Sequence, residues 1–425
     1  MYIDEAMYVS RPHSSYIVRV LYIMALLSIL CVLFLTRLGD LGNYHGDESL
    51  WLTVSTKLFR LYAFEHQFDD PAWHQEYSTF GSRQPQIGKY LIGLGTTTVD
   101  FKGEPAPYVW QWDQSQTWNL AHHVPPPEVV LRGRFPIALM GIIASLSFYW
   151  LVTLVVNPWC GLIALASLLG ARLLIESSQR AMIDSPALAF GLLTLVGMVY
   201  LLRALRDDCW WPAVRWAILT GFVSGLAIGT KLHALLILVV CVTSLASEAA
   251  IALHTDRRKV YVVLMCMLII LAGAWTVFYL SNPVLYHAPL EGVRHMLELN
   301  SIVSAIPFQP LHTIPERMLA IWNSMYIYAP LTKLGLPYDR WLIFLGIIAV
   351  AITARRGATH LRTRQYDLIL LWLLISYAGI TLWLPHDWDR YYLPLQPCNA
   401  FLQAYGLWWL GTQLVAARQP EGVLV

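Results

Sequence analysis

The sequence predicts an all-α polytopic membrane protein, and three features of its composition and patterning support this class. Of its 425 residues, 57% are hydrophobic and only 13% are charged, and the mean hydropathy is +0.51. Long apolar runs recur along most of the chain, and Lys and Arg are concentrated in short segments between alternate runs. An α-helix needs about 20 apolar residues to cross a bilayer. These features exclude a soluble domain, and the net charge of +2 gives no indication of nucleic-acid binding.

About ten stretches are long and apolar enough to be predicted as transmembrane helices. They are residues 17–36, 136–156, 159–176, 186–203, 214–230, 232–253, 260–281, 340–354, 367–384 and 395–416. Residues 316–331 could form an additional, partly inserted helix. The first stretch is too long for the core of a signal peptide and has no small-residue cleavage site after it, so we interpret it as a retained anchor.

The positive charges predict the orientation of these spans. The loops rich in Lys and Arg all fall on one side of the membrane if both termini are cytoplasmic. They contain Arg11, Arg19, Arg203, Arg206, Arg215, Arg257, Arg258, Lys259, Arg355, Arg356, Arg362, Arg364 and Arg418. We therefore interpret residues 1–425 as a single membrane domain in the cell membrane, with any active site on the outer face.

Two long segments, residues 38–131 and 282–339, then lie on the outer side. Both are rich in Trp, Tyr, Phe and Pro, a composition that indicates ordered structure rather than disorder. In the first segment, the apolar patterns of Glu48 to Phe64 and of Ile87 to Thr98 predict two amphipathic helices on the membrane surface.

The charges left at the outer ends of the spans converge on this face. They are Asp47, Glu48, Lys89, Arg180, Asp184, Lys231, Asp387, Asp389 and Arg390. Each one alone has a simpler explanation, such as a solvated helix start, a capped turn or a side chain that snorkels to the interface. Together they offer carboxylates and cations at the membrane surface, which suits an anionic group held next to a base.

Six short elements carry a family resemblance. They are Asp47-Glu48, Gln84-Pro85-Gln86-Ile87-Gly88-Lys89, Arg180-Ala181-Met182-Ile183-Asp184, the stretch from Gly225 to Lys231, Asn282-Pro283-Val284-Leu285-Tyr286, and the stretch from Arg390 to Pro394. In this order they resemble the GT-C superfamily of membrane glycosyltransferases, of the protein O-mannosyltransferase type and the similar lipid A aminoarabinose transferases. The resemblance covers residues 15–300 well, and beyond them it rests on the Arg390 element. The chain departs from the family pattern at Gln84 and Gln86, which stand where the family has His and Pro.

The resemblance implies a GT-C-like bundle and a polyprenyl-phosphate-linked sugar as donor. The acceptor hydroxyl could belong to a protein, a lipid or a glycan. We expect Asp47 to be the catalytic base, with Glu48 and Asp184 orienting the acceptor or sugar or positioning Asp47. The expected ligands of the donor phosphate and sugar are Lys89, Arg180, Lys231, Arg390, Tyr391 and His45.

A single displacement with one base predicts inversion at the anomeric carbon. This chemistry requires no cofactor, although a divalent cation between the acids and the phosphate would be compatible with it. The five histidines of the first outer segment, His45, His66, His74, His122 and His123, show no zinc-binding spacing, so we predict no protein metal site. The six cysteines show neither metal-binding spacing nor a disulfide framework.

Two other functions are consistent with parts of the sequence. A transporter or flippase of a lipid-linked sugar would also need grooves and cations, but it predicts polar residues at the middle of the membrane and broken helices. A non-enzymatic scaffold would explain the aromatic outer segments but not the convergent acids and cations.

Overall fold

The computed structural model describes residues 14–73, 83–254, 256–304, 309–327, 339–357 and 364–418, which form sixteen α-helices joined by short 3₁₀ turns. The helices are α1 (Ser14–Leu35), α2 (Asp47–Arg60), α3 (Ile87–Thr96), α4 (Gln116–His122), α5 (Pro127–Val155), α6 (Pro158–Gly170), α7 (Leu173–Ser178), α8 (Asp184–Arg206), α9 (Trp210–Ile228), α10 (Leu235–Ala252), α11 (Arg257–Leu280), α12 (Pro289–Ser304), α13 (Ile314–Ile327), α14 (Asp339–Gly357), α15 (Arg364–Trp383) and α16 (Gln396–Arg418). Arg11, His74, Arg362 and residues 328–338 of the second outer segment lie outside the described residues.

Helices occupy all ten stretches predicted to span the membrane. By length and composition, six described helices could cross a bilayer: α5, α8, α9, α11, α15 and the segment Leu232–Ala252, which contains α10. Leu21–Leu35 and α6 are apolar but shorter. The prediction of a polytopic helical membrane protein is confirmed.

The structure corrects the predicted span 159–176. Its helix α6 ends at Gly170, and α7 begins separately at Leu173. Arg172 between them has a φ of 62°, in the left-handed region that interrupts a right-handed helix. The break lets α7 turn toward the loop that carries Arg180 and Asp184.

Small residues allow the membrane helices to approach closely. A Cβ atom on Gly221 of α9 would lie 2.9 Å from Ile270 Cα of α11. A Cβ atom on Gly346 of α14 would lie 2.1 Å from the Leu402 carbonyl oxygen of α16. Lipid tails are as apolar as leucine, so contact between membrane helices depends on such close packing rather than on the hydrophobic effect.

Helices form at both stretches of the first outer segment that were predicted to be helical, and they are α2 and α3. Helix α2 buries Trp51, Leu52 and Leu58 and continues into a π-helical turn, Leu61–Glu65. Helix α3 packs against α2 and α5. A Cβ atom on Gly88 would lie 2.6 Å from the Ile183 side chain, so only glycine lets α3 approach the loop that precedes Asp184 so closely.

The second outer segment contains α12 and α13 and pairs with the chain that precedes Arg390. Pro310 and His386 form an isolated antiparallel bridge. The Leu311 N–H donates to the Pro385 carbonyl at 2.9 Å, and the Asp387 N–H donates to the Gln309 carbonyl at 3.1 Å. Backbone hydrogen bonds therefore connect this segment directly to the predicted site.

Candidate active site

Several helix ends and loops meet around a small polar cavity, of about 30 Å³. Asp184 lies at the first residue of α8, Lys231 lies between α9 and α10, and Arg390 lies in the 3₁₀ turn Asp389–Leu395 that precedes α16. The cavity is lined by Trp51, Arg83, Gln84, Ile183, Asp184, Lys231, Asn300, Trp383, Pro385, Arg390 and Tyr391. The structure thus gathers polar side chains from widely separated parts of the chain into one place.

Asp47 is held by Arg390, whose Nη1 donates to Asp47 Oδ2 at 2.7 Å. Burial alone would raise the pKa of Asp47, but its positively charged neighbours, above all Arg390, outweigh burial, and the net pKa lies below its ordinary value. Burial lowers the pKa of His45, and its Nδ1 accepts the Asp47 N–H at 3.2 Å, which requires an unprotonated Nδ1. Asp47 is therefore held as a carboxylate by Arg390, with the His45 ring beside it.

A second ion pair lies inside the cavity. Lys231 Nζ donates to Asp184 Oδ1 at 2.5 Å, and both side chains are nearly buried. Lys231 Nζ also lies 5.5 Å from the centre of the Tyr391 ring, and the Arg390 guanidinium lies 5.7 Å from the same ring. The Tyr391 ring thus holds two cations near each other through cation–π contacts.

Charged side chains of both signs surround the cavity. The cations that line it are Arg83, Lys231 and Arg390. Asp184 also lines it and pairs with Lys231, and Asp47 pairs with Arg390. Lys231 and Arg390 are therefore cations that another anionic group, such as a phosphodiester, can engage in place of these carboxylates.

Glu48 lies in a different environment from its neighbour Asp47. It is fully buried, and Arg134 of α5 binds both of its carboxylate oxygens at 2.8 Å. The N–H groups of Ala181 and His45 donate to the same two oxygens at 2.8 and 3.0 Å. Arg134 also donates to two backbone carbonyls of the segment after α1. Glu48 is not among the residues that line the cavity, and its contacts tie α2, α5 and the Arg180 loop together.

Lys89 and Arg180 also lie outside the cavity lining. The buried Lys89 donates to the Gln84 carbonyl at 2.5 Å and to a neighbouring side-chain amide at 3.1 Å. Arg180 donates to Asn43 Oδ1 at 2.7 Å and lies 3.8 Å from an Asp389 carboxylate oxygen. Both residues brace loops around the site. Of the nine predicted site residues, the structure brings together Asp47, Asp184, Lys231, Arg390 and Tyr391, with His45 beside Asp47.

Sequence reasoning missed four residues of the site and its support. Arg83, Asn300 and Trp383 line the cavity, and Arg134 binds Glu48. Arg134 had a usable signal, because it lies just before a predicted span and no short loop accounts for its charge. Asn300 had none, because a single Asn in an outer helix looks like any solvated residue.

A much larger apolar groove, of about 590 Å³, runs between α10, α11, α12 and α15. Its walls include Leu235, Val239, Leu271, Trp275 and Leu297. Gln84, Lys231, Asn300 and Trp383 line both the groove and the polar cavity. The two spaces therefore meet at these four side chains and can hold one molecule that is polar at one end and apolar at the other.

No group of three or more His, Cys, Asp or Glu side chains that could hold a metal ion occurs within the described ranges. The carboxylates of the cavity are instead engaged by Lys231 and Arg390.

The fold is similar to that of solved membrane enzymes. ArnT from Cupriavidus metallidurans in the apo state aligns with a TM-score of 0.56 and 13% identity over 94% of this chain and 63% of that chain. The same protein bound to undecaprenyl phosphate aligns with a TM-score of 0.54 and 12% identity over 93% of this chain and 62% of that chain. The oligosaccharyltransferase from Archaeoglobus fulgidus, tethered to an acceptor peptide, aligns with a TM-score of 0.53 and 12% identity. This alignment covers 94% of this chain and 51% of that chain.

The chain spans about three fifths of the length of ArnT and about half that of the oligosaccharyltransferase. A comparison with curated protein sequences found no match. The family model of the dolichyl-phosphate-mannose-protein mannosyltransferases matches residues 49–284, which is more than half of the chain. Together with the GT-C fold expected from the sequence motifs, this match shows that the chain belongs to the dolichyl-phosphate-mannose-protein mannosyltransferase family.

Proposed function

We propose that the protein is a glycosyltransferase that moves a sugar from a polyprenyl-phosphate donor to an acceptor hydroxyl on the outer face of the membrane. The observation that carries this proposal is the junction of a cationic cavity with a long apolar groove at Gln84, Lys231, Asn300 and Trp383. A polyprenyl-phosphate sugar has the matching order of parts: an apolar tail, one negative charge and a polar sugar. The family model and the ArnT structure solved with undecaprenyl phosphate support this donor class.

The donor phosphate is placed at the junction, within reach of Lys231 and Arg390. Arg390 is suited to binding the phosphate, because a guanidinium can engage two phosphate oxygens at once. As the bond between the sugar and the phosphate breaks, negative charge grows on the leaving oxygen, and fixed cations stabilise it. Asp184 keeps Lys231 in position through their ion pair.

Asp47 is the proposed base. Its carboxylate takes the proton of the acceptor hydroxyl as that oxygen attacks the anomeric carbon from the side opposite the phosphate. One displacement of this kind inverts the configuration. Glu48 supports the reaction from a distance, because its contacts with Arg134, Ala181 and His45 set the position of the first turn of α2.

Aromatic side chains of the first outer segment stand beside this base. A Cβ atom on Gly46 would lie 2.9 Å from both Trp110 and Trp112, and Tyr44 stacks on Trp110 with ring centres 5.8 Å apart. These aromatic side chains are suited to covering the sugar and acceptor and to excluding water, which would otherwise hydrolyse the donor. The family description favours a protein hydroxyl as acceptor, with a lipid or glycan hydroxyl as alternatives.

The proposed active site faces the outside of the cell membrane, and both termini face the cytoplasm. The support for this orientation is the distribution of Lys and Arg among the short loops. The flippase alternative gains no support from the family match or from the solved structures with similar folds.

Turnover of lipid-linked sugars tests the function directly. Purified protein is expected to release or transfer sugar from one member of a panel of polyprenyl-phosphate sugars, because the polar cavity adjoins the apolar groove in the same order as the parts of such a donor. The measurement is mass spectrometry of the sugar-free polyprenyl phosphate formed, with and without a Ser- and Thr-containing peptide. Movement of intact donor across liposomes without chemical turnover would contradict the proposal and support a transporter.

The pH dependence tests the exchange of Arg390 between Asp47 and the phosphate. Without donor, Arg390 keeps the pKa of Asp47 low. When Arg390 turns to the phosphate, Asp47 stays buried but loses its cation, so the pKa of Asp47 rises. The carboxylate is then protonated, and the base lost, at a higher pH. We therefore expect the acid limb of kcat, which reports the enzyme–donor complex, at a higher pH than the acid limb of kcat/KM for the donor.

Arg390→Gln is the control for this exchange, because its Asp47 has no guanidinium to lose on donor binding. In the residual activity of this variant the two acid limbs should coincide. Coincident limbs in the wild-type protein would contradict the exchange.

A further inference from the structure

Gln84 has an unusual position at the junction of the cavity and the groove. It is 6% exposed, lines both spaces, and begins the turn that leads through Pro85 into α3. Gln84 therefore places a side-chain amide at the point where the tail, phosphate and sugar of the proposed donor meet.

The hydrogen-bond network fixes which way the Gln84 amide points. Asn300 Nδ2 donates to the Arg83 carbonyl at 3.0 Å and to the Met296 carbonyl at 2.8 Å, so Asn300 presents its Oδ1 to Gln84. Gln84 Nε2 donates to that oxygen at 2.9 Å. A reversed Gln84 amide would place two carbonyl oxygens against each other, which is unfavourable.

This orientation leaves Gln84 Oε1 as a buried acceptor. No hydrogen-bond donor within the described part of the chain reaches it. A buried carbonyl oxygen without a partner costs free energy, so a ligand that supplies a donor at this point is favoured over one that does not. The nearby Lys231 donates instead to Asp184.

The chemistry of the donor identifies the group that fits. The isoprenoid tail carries no hydrogen-bond donor, and a phosphodiester at neutral pH carries no proton. Only the sugar can donate, and the hydroxyl nearest to the phosphate is the one on the carbon next to the anomeric carbon. We infer that Gln84 is a specificity-determining residue whose Oε1 accepts a hydrogen bond from this hydroxyl. The inference rests on the proposed function and adds a requirement for the donor sugar.

A donor analogue that lacks this hydroxyl provides the test. With the sugar identified by the turnover panel, wild-type kcat/KM is expected to fall roughly 10- to 100-fold for the 2-deoxy donor, because the buried oxygen is then left without a partner. Gln84→Met has a similar size but no acceptor. The kcat/KM of this variant for the natural donor should be lower than that of the wild type by a comparable factor. Its kcat/KM for the 2-deoxy donor should be almost the same as its kcat/KM for the natural donor.

Gln86→Met is the matched control. Gln86 is buried in the same turn, but it contacts Lys89 and is not among the residues that line either space. This variant should keep the wild-type ratio between the two donors. The ratio is measured within each variant, so a lower folded fraction does not affect it.

Three results would overturn the inference. In the first, Gln84→Met keeps the wild-type ratio. In the second, the wild-type protein does not distinguish the two donors although it turns both over. In the third, Gln84→Met weakens binding of sugar-free polyprenyl phosphate as much as binding of the donor, which would show that the side chain does not act through the sugar. No turnover of any donor by the wild-type protein would instead refute the proposed function, and the inference with it.

Discussion

Asp47→Asn is expected to lower kcat about 10²- to 10⁴-fold, the usual contribution of a positioned base. The amide has almost the same shape as the carboxylate but cannot accept the acceptor's proton. Donor binding should be retained or become tighter, because the variant removes the carboxylate that competes with the phosphate for Arg390. Single-turnover rates and equilibrium binding of the donor, measured on the same preparation, separate these two effects.

Asp184→Asn is a useful comparison, because Asp184 holds Lys231 rather than Arg390. It should mainly weaken donor binding. If Asp47→Asn turns over at the wild-type rate, Asp47 is not the base. If it loses donor binding and turnover together, Asp47 has a structural role instead.

Arg134→Met is expected to destabilise the protein by about 3–5 kcal/mol, the cost typical of breaking a buried ion pair by removing one partner. The substitution leaves the Glu48 carboxylate buried with two backbone N–H donors and no cation. Thermal unfolding in detergent, followed by circular dichroism or by the fluorescence of buried tryptophans, measures the loss.

The double variant Glu48→Gln with Arg134→Met provides the control for charge. It removes both charges, so it should recover a large part of the stability lost in Arg134→Met alone. An equal loss in the single and double variants would show that Arg134 acts through packing. A negligible loss in the single variant would contradict the structural role assigned to this pair.

The sequence was sufficient to predict the helices of a polytopic membrane protein, whereas the face of the membrane on which the site lies stays a prediction. Apolar runs report directly on burial in lipid, so helices occupy all ten predicted stretches. The break at Arg172 was not predictable, because a single left-handed residue inside an apolar run depends on the packing around it.

The arrangement of the site was only partly predictable. The contact between Asp47 and Arg390 joins residues 343 positions apart, and the sequence indicates only that both lie at outer span ends. The different environments of Asp47 and Glu48 follow from helix geometry, since successive side chains point about 100° apart around the axis. The identity of the Glu48 partner does not follow from that geometry, because Arg134 is one of two arginines near the start of α5.

The backbone pairing of residues 309–311 with residues 385–387 connects the second outer segment to the chain just before Arg390, the proposed phosphate ligand. A displacement of α13 would reach that chain through two backbone hydrogen bonds, without any side chain between them. In the proposed mechanism, an acceptor that presses on this segment would thus pull on the guanidinium that exchanges Asp47 for the phosphate. The enzyme would then sense its second substrate mechanically, and changes in α13 distant from the cavity would alter the rate of transfer while leaving every chemical group in place.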